Sequence, residues 1–296
     1  MKNIFYIITA GCLWGIISVF VNLLKELGFD SMQCVAIRAF FAMVFLMVYL
    51  LVTDKSKLKI KVKDLVYFIG TGIGSIVFFN YCYFQSIEII GGAAVPALLL
   101  YTAPVFVMVL SAFFFKEKIT KKKIAALLLT LVGLGFVTGA FSGGERLSPA
   151  VLLLGLGSGL GYALYSIFSK FVIEKYDAVT ITFYTFLIAA LGAIPLSGIV
   201  SRVSPLFCTK GIVATIGLAF LCTVLPFLLY TNGLKSVEAG KASILATVEP
   251  LVAAVVGAVF YRETFTVQKV TGIFLVLLAV LILNLQHKQM EKSDKK

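Results

Sequence analysis

Charged residues are scarce in this chain. They make up 14% of its 296 residues, whereas a soluble domain carries roughly a quarter. Hydrophobic residues make up 60%, and the mean hydropathy is +1.03. Too few polar groups are present to cover a surface that faces water. The composition therefore excludes an ordinary soluble domain and indicates a membrane protein.

The residues and motifs of common catalytic centres are also missing. The single histidine, His287, lies near the carboxyl end, and the five cysteines contain no Cys-x-x-Cys pair. The motifs Gly-x-Ser-x-Gly and His-Glu-x-x-His do not occur, and Gly240-Lys241 is followed by Ala242 instead of the hydroxyl residue of a nucleotide-binding loop. These absences argue against an intramembrane enzyme and against an ATP-driven pump. We expect no metal and no cofactor.

Long apolar runs are what the chain has instead. Runs of about 20 residues are long enough to cross a hydrocarbon core of roughly 30 Å. Because lipid offers the backbone no hydrogen-bonding partner, each span should be an α-helix. The sequence thus predicts an all-α polytopic membrane protein with ten transmembrane helices, at 4–24, 31–52, 65–86, 92–115, 123–141, 149–171, 178–199, 210–233, 240–260 and 267–285.

The basic residues predict how the chain is oriented. The net charge is +12, and most lysines and arginines fall on one side if the amino terminus is cytoplasmic, with clusters at 55–63 and 116–123. Positively charged loops are retained in the cytoplasm, so both termini should lie there. The charge therefore indicates membrane orientation and not a nucleic-acid partner. We expect a multi-pass protein of a bacterial plasma membrane.

Two segments in opposite halves of the chain read as copies of each other. Pro104 is followed by an apolar run and Glu117, and Pro250 is followed at the same thirteen-residue spacing by Glu263. One such spacing would be weak evidence, but its recurrence inside two long apolar segments indicates a duplication. Duplicated halves are typical of transporters whose pathway runs between the repeats.

The duplication divides the chain into two repeats of five helices each, at 1–144 and 145–296. Because five is an odd number, the second repeat must enter the membrane from the opposite side. The loop at 116–123 is rich in lysine, whereas its counterpart in the second repeat carries only two basic residues. Similar sequence with opposite charge bias is what inverted repeats require.

These features resemble the EamA-type branch of the drug/metabolite transporter superfamily. The residues that carry the resemblance are Trp14, Gly15, Arg38, Pro104, Glu117, Gly133, Tyr162, Lys170, Glu249, Pro250, Glu263 and Gly272. Similarity to this family implies two five-helix repeats and transport of small polar solutes, such as amino acids, without ATP. The chain departs from the family pattern at Tyr162, where a tryptophan would stand, and at Ala126, where a glycine would stand.

Two charged residues lie well inside the predicted spans, where a charge costs roughly 3 kcal/mol. Glu249 lies in the middle of the ninth span, and the missing donor of Pro250 beside it indicates a bent helix, as Pro96 and Pro104 do in the fourth span. Its carboxyl group could take up a proton, pair with a cationic substrate or bind local backbone. Arg38 could contact an anionic group such as a substrate carboxylate, or form a structural pair with Glu249 or with helix carbonyls.

Polar and aromatic residues of other spans complete the candidate site. A tyrosine offers an apolar wall with a hydroxyl at its tip, which suits a solute cavity, although such residues also serve in helix packing. Asn80 and Tyr83 are three positions apart, and Trp14 and Ser18 are four apart, so each pair shares a helix face. The predicted substrate-binding residues are Trp14, Ser18, Arg38, Asn80, Tyr83, Tyr101, Tyr165, Tyr230 and Glu249.

The sequence therefore predicts a secondary active transporter, an exporter or exchanger of small polar metabolites such as amino acids. Its central cavity would be exposed to the two sides of the membrane in turn. The predicted partners are a small-molecule substrate, the lipid bilayer and coupling protons. A channel or a lipid-handling membrane protein without a carrier cycle is the alternative, and the sequence specifies no oligomeric state.

Inverted repeats place the loops that contain Lys118 and Arg262 on opposite membrane faces. In a chain without its native cysteines, we expect an impermeant thiol reagent to label Lys118→Cys from the cytoplasmic side only. The same reagent should label Arg262→Cys from the outer side only. Labelling of both positions from one side would contradict the inverted arrangement.

Overall fold

The computed structural model describes residues 2–141, 148–262 and 266–293, and within these ranges the chain is helical and contains no strand. In chain order, the long helices are α1 (Lys2–Glu26), α2 (Ser31–Thr53), α3 (Val62–Ile90), α4 (Ala94–Phe115), α5 (Lys121–Thr138), α6 (Pro149–Val172), α7 (Ala178–Ser197), α8 (Thr209–Leu234), α9 (Ala239–Tyr261) and α10 (Val267–Ser293). Eight of them, all except α5 and α10, are long and apolar enough to cross a membrane.

The helices lie where the sequence predicts them, which confirms an all-helical polytopic membrane protein. α5 begins with three lysines, and the apolar part of α10 is the shorter stretch Val267–Leu283. Ten membrane crossings and an inverted relation between the halves therefore stay predictions. Glu263, which the sequence pairs with Glu117, lies outside the described residues.

The two helices that carry the duplicated proline are both interrupted. α4 is broken at Tyr101 and Thr102, and α9 passes through a tighter 3₁₀ turn at Ala246–Val248. Pro104 and Pro250 lie in the first turn of the segment after each interruption. Proline is tolerated there because the amide it lacks would have no partner within the helix. The predicted bends in the fourth and ninth helices are thus confirmed.

Two further irregularities occur in both halves. α3 and α8 each contain a π-helical segment, at Gly70–Val77 and Gly217–Val224. α4 and α9 also end alike, because Lys116 and Arg262 follow them in the left-handed region with φ of 56° and 55°. Corresponding positions in the two halves therefore share their local geometry.

The helices of the two halves pack mainly on each other. α1 contacts α8 and α9, while α6 contacts α3 and α4. α2 packs on α7, and α5 packs on α10. The space at the centre of the bundle is consequently bounded by helices from both halves.

Glycines allow α1 and α6 to approach the interrupted helices. A Cβ atom at Gly15 would lie 2.6 Å from the carbonyl oxygen of Glu249, and one at Gly159 would lie 2.9 Å from that of Leu99. A larger residue would collide with backbone, which cannot move aside as a side chain can. The glycines thus hold α1 against the interruption in α9 and α6 against that in α4.

α5 and α10 cross at a pair of glycines. A Cβ at Gly272 would lie 2.4 Å from the carbonyl oxygen of Gly133. We expect Gly272→Ala to lower the melting temperature in detergent, because overpacking costs about 1–3 kcal/mol. The control is Gly74→Ala, whose Cβ would find its nearest neighbour, Leu164, at 4.0 Å. Equal melting temperatures for the two variants would contradict this packing.

Candidate functional site

A cavity of about 420 Å³ lies between the helices of the two halves. Its walls come from α1, α2, α3, α4, α6, α8 and α9. All nine residues that the sequence predicts for substrate binding line this cavity, namely Trp14, Ser18, Arg38, Asn80, Tyr83, Tyr101, Tyr165, Tyr230 and Glu249. The structure thus brings them together, while their role in binding stays a prediction.

Helix geometry explains why these side chains converge. Trp14 and Ser18 are about one turn apart on α1, and Asn80 and Tyr83 share a face of α3 just after its π-helical segment. Tyr101 lies at the interruption of α4. The cavity is therefore bordered by one face of α1, one face of α3 and the interruption of α4.

Glu249 begins the second segment of α9 and is half-buried. Its Oε2 accepts a hydrogen bond of 3.1 Å from the hydroxyl of Tyr162 on α6. The sequence marks Tyr162 as a departure from the family pattern, and Tyr162 is not among the predicted substrate-binding residues. Its position in the second repeat is equivalent to that of Trp14 in the first, and this equivalence is the signal that could have identified it as a site residue.

Arg38 is a buried cation that forms no ion pair with a described residue. Its side chain lines the cavity, and the residue is 6% exposed. No described residue accepts a hydrogen bond from its Nε, and no described carboxylate lies within the 4.0 Å of a salt bridge. The structural pair with Glu249 that the sequence left open is therefore not formed.

Aromatic rings form one wall of the cavity. The Trp14 ring lies 5.2 Å from that of Phe227, 5.4 Å from that of Tyr230 and 6.3 Å from that of Tyr162. Phe227 on α8 and Phe79 on α3 also line the cavity, and the sequence analysis did not identify either. Phenylalanines are common in every span of this chain, so nothing in the sequence distinguishes these two.

Several polar groups of the wall are already engaged within the protein. The Tyr165 hydroxyl lies 2.6 Å from Thr231 Oγ1, and the Tyr230 hydroxyl lies 2.8 Å from Ser166 Oγ. The side-chain amide of Asn80 donates to the carbonyl oxygen of Ile76 at 2.7 Å. These side chains therefore contribute to the shape of the cavity and make its wall partly polar, but they add no charge to it.

The cavity reaches the protein surface at one end. Its lining there includes the exposed residues Lys25, at the end of α1, and Ala93, before the start of α4. In the predicted orientation this end faces away from the cytoplasm. At the opposite end, which we call the covered end, α4, α6 and α9 contact one another through residues that do not line the cavity.

Glu117 connects the three helices at that covered end. Lys170 Nζ donates to its Oε1 at 2.8 Å, and the amides of Ala239 and Gly240 donate to its two oxygens at 2.9 and 3.2 Å. Burial raises the pKa of the Glu117 carboxyl, but the Lys170 contact and the two amides outweigh it, so the pKa lies below its usual value. Beside it, Lys123 on α5 forms a 2.7 Å ion pair with Glu238.

Comparisons with known proteins agree with this architecture. The model of the EamA-like transporter family matches residues 1–139 and 149–285. An uncharacterized transporter of Archaeoglobus fulgidus is 31% identical over 276 residues, which cover 93% of this chain and 94% of that protein. A probable amino-acid metabolite efflux pump of Salmonella typhimurium is 24% identical over 200 residues, which cover 64% of this chain and 67% of that protein.

A solved structure shares the fold. Its chain matches this one with a TM-score of 0.81 and 18% sequence identity, over 98% of each chain. At this identity the likeness concerns the fold alone.

Proposed function

The chain belongs to the EamA-like transporter family, and we propose that it is a secondary carrier with the central cavity as its substrate site. Family membership makes it a membrane transporter and not an enzyme. The proposal adds the mechanism, in which the cavity opens to the two sides of the membrane in turn. It also adds the substrate class, which is small polar metabolites such as amino acids.

One observation carries the carrier mechanism. The cavity reaches the surface at the end marked by Lys25, and at the other end its lining stops short of the Glu117 contacts. A channel conducts through a path that is open at both ends at once, whereas a carrier in any one state is open at one end. The one-sided cavity favours the carrier over a channel or a lipid-handling protein.

The matching geometry of the halves supports ten crossings arranged as two inverted five-helix repeats. Equivalent helices share their interruptions, their π-helical segments and their left-handed ends. α5 and α10, which are equivalent in sequence, run antiparallel where they cross, because Gly133 lies against Val276 while Val137 lies against Gly272. Two equivalent helices in contact run in opposite directions when the repeats that contain them are inverted.

The proposed location is a bacterial plasma membrane, with both termini in the cytoplasm. An uncharacterized inner membrane transporter of Salmonella typhimurium, YicL, is similar to this chain, with 24% identity over 99% of this chain and 98% of that protein. The efflux pump among the relatives supports export or exchange of amino-acid-like solutes. Glu249, in the middle of α9, is the residue through which we propose that protons couple to transport.

Flux measurements in proteoliposomes test the carrier proposal. We expect saturable uptake of amino acids that becomes faster when unlabelled solute is trapped inside. A carrier that returns with bound solute avoids the return step of the empty carrier. Glu249→Gln should remove the dependence of flux on a pH gradient. Linear, unsaturated flux without acceleration by trapped solute would contradict a carrier.

The Glu117 contacts should control access from the covered end. We expect Glu117→Gln to raise the rate at which an impermeant thiol reagent on that side labels Ser166→Cys, in a chain without native cysteines. The rise should be roughly tenfold, because a hydrogen bond to a charged group contributes about 1.5–3 kcal/mol. The control is Asp177→Asn, which removes an exposed 2.9 Å pair with Lys57 and should change little.

The pH dependence of this closure follows from the pKa of Glu117. A carboxyl with a lowered pKa stabilises the closed end above its ordinary pKa of 4.5 and stops doing so only as the pH falls through the lowered value. In a Ser166→Cys chain that also carries Glu249→Gln, so that the proposed coupling carboxyl cannot titrate, the labelling rate should therefore be independent of protein protonation between about pH 5 and pH 8. A rise in this window, after correction for the reagent's own pH dependence, would show that another group holds the end closed.

A further inference from the structure

The cavity holds two opposite charges that do not neutralise each other by contact. Arg38 lies on α2 and Glu249 on α9, and both line the same space. The Tyr162 hydroxyl donates to the Glu249 carboxylate at 3.1 Å, and the Tyr101 hydroxyl also interacts with it, but neutral hydroxyls do not cancel its negative charge. No described lysine or arginine lies within salt-bridge distance, 4.0 Å, of that carboxylate.

The guanidinium of Arg38 is the stronger indication of a ligand. A buried charge is costly unless it is paired and hydrogen-bonded, yet this side chain is 94% buried and its Nε has no acceptor among the described residues. A guanidinium presents its donors in a planar fork that matches a carboxylate in two parallel hydrogen bonds. A carboxylate that enters the cavity would supply the missing acceptor.

The second charge restricts the ligand further. Lys25 lies exposed at the mouth of the cavity, so the charged residues of the inner lining are Arg38 and Glu249, whose charges are opposite, and the surrounding spans have a low dielectric constant. An entering anion would satisfy Arg38 but bring an excess negative charge near Glu249, and an entering cation would do the reverse. A solute with one carboxylate and one ammonium group satisfies both residues and leaves the site neutral.

The size and the walls of the cavity fit the same kind of solute. A volume of about 420 Å³ lies within the range of small-molecule sites, roughly 300–1,000 Å³. Aromatic rings of Trp14, Phe79 and Phe227 line the space and can receive an apolar side chain.

We propose that the cavity recognises zwitterionic α-amino acids, with the ligand carboxylate on Arg38 and the ligand ammonium on Glu249. This inference rests on the proposed carrier function, and it assigns the two ends of the substrate to two residues.

A set of matched ligands tests the proposal on the unaltered chain. The purified full-length protein is screened for thermal stabilisation with the standard L-α-amino acids at millimolar concentration. Each amino acid that stabilises is compared with its carboxamide, which lacks the carboxylate, and with its N-acetyl derivative, which lacks the ammonium. We expect both derivatives to bind at least roughly tenfold more weakly than the parent, since each loses a charge-assisted contact.

Two outcomes of this screen would overturn the proposal. One is a derivative with a single charge that binds as tightly as its parent amino acid. The other is a failure of every amino acid to stabilise the protein. If counterflow of a different solute is still observed, the carrier function stands and only the zwitterion assignment falls; if no solute exchanges, the carrier function falls as well.

Substitutions assign each end of the ligand. In Arg38→Gln, the parent and its carboxamide should bind about equally, while the penalty for N-acetylation remains. In Glu249→Gln, the N-acetyl penalty should disappear and the carboxamide penalty should remain. A purely structural role would weaken all three ligands together and leave their ratios unchanged, which would refute the assignment. Lys121→Gln, which removes an exposed cation at the start of α5, outside the cavity lining, is the control and should leave both ratios unchanged.

Discussion

Interrupted helices inside a membrane depend on cover from other parts of the protein. Backbone groups that leave the helical ladder find no water in hydrocarbon, so an interruption persists only where protein packs against it. Gly15 and Gly159 provide this cover by letting α1 and α6 lie against the interruptions of α9 and α4. Trp14 and Tyr162 lie on the same two helices, so the contact that protects the broken backbone also positions the aromatic wall of the cavity.

The charged residues at the covered end and those at the centre of the bundle have different hydrogen-bonding partners. At the covered end, the Glu117 carboxylate is bonded to a lysine and to two amides, and it joins three helices. At the centre, the Nε of Arg38 has no acceptor among the described residues, and Glu249 interacts with the neutral hydroxyls of Tyr162 and Tyr101. In the carrier that we propose, the first arrangement stabilises one state of the bundle, and the second leaves binding capacity for a solute. A transporter needs both, and the difference is consistent with separate roles in closure and recognition.

Most of the helix positions could be predicted, because the length of an apolar run directly reflects membrane thickness. Glu249 and Arg38 could be identified because charges inside spans are rare, and the bends of α4 and α9 because proline cannot continue the backbone ladder. The lack of a partner for Arg38 could not be predicted, since pairing depends on how α2 and α9 are rotated. The engagement of Tyr165 with Thr231 and the contact of Tyr162 with Glu249 likewise join different helices, and no spacing within one segment reports them. The π-helical segments of α3 and α8 have no marker residue comparable to proline.

The aromatic wall has one further consequence. Trp14 is the sole tryptophan of the chain, and its ring stands in the cavity beside Tyr162 and Tyr230. Indole fluorescence responds to the polarity around the ring, and here the entire tryptophan emission arises from one place, the wall that a solute would touch. The intrinsic tryptophan fluorescence of the protein should therefore report whether the cavity contains water or a bound solute.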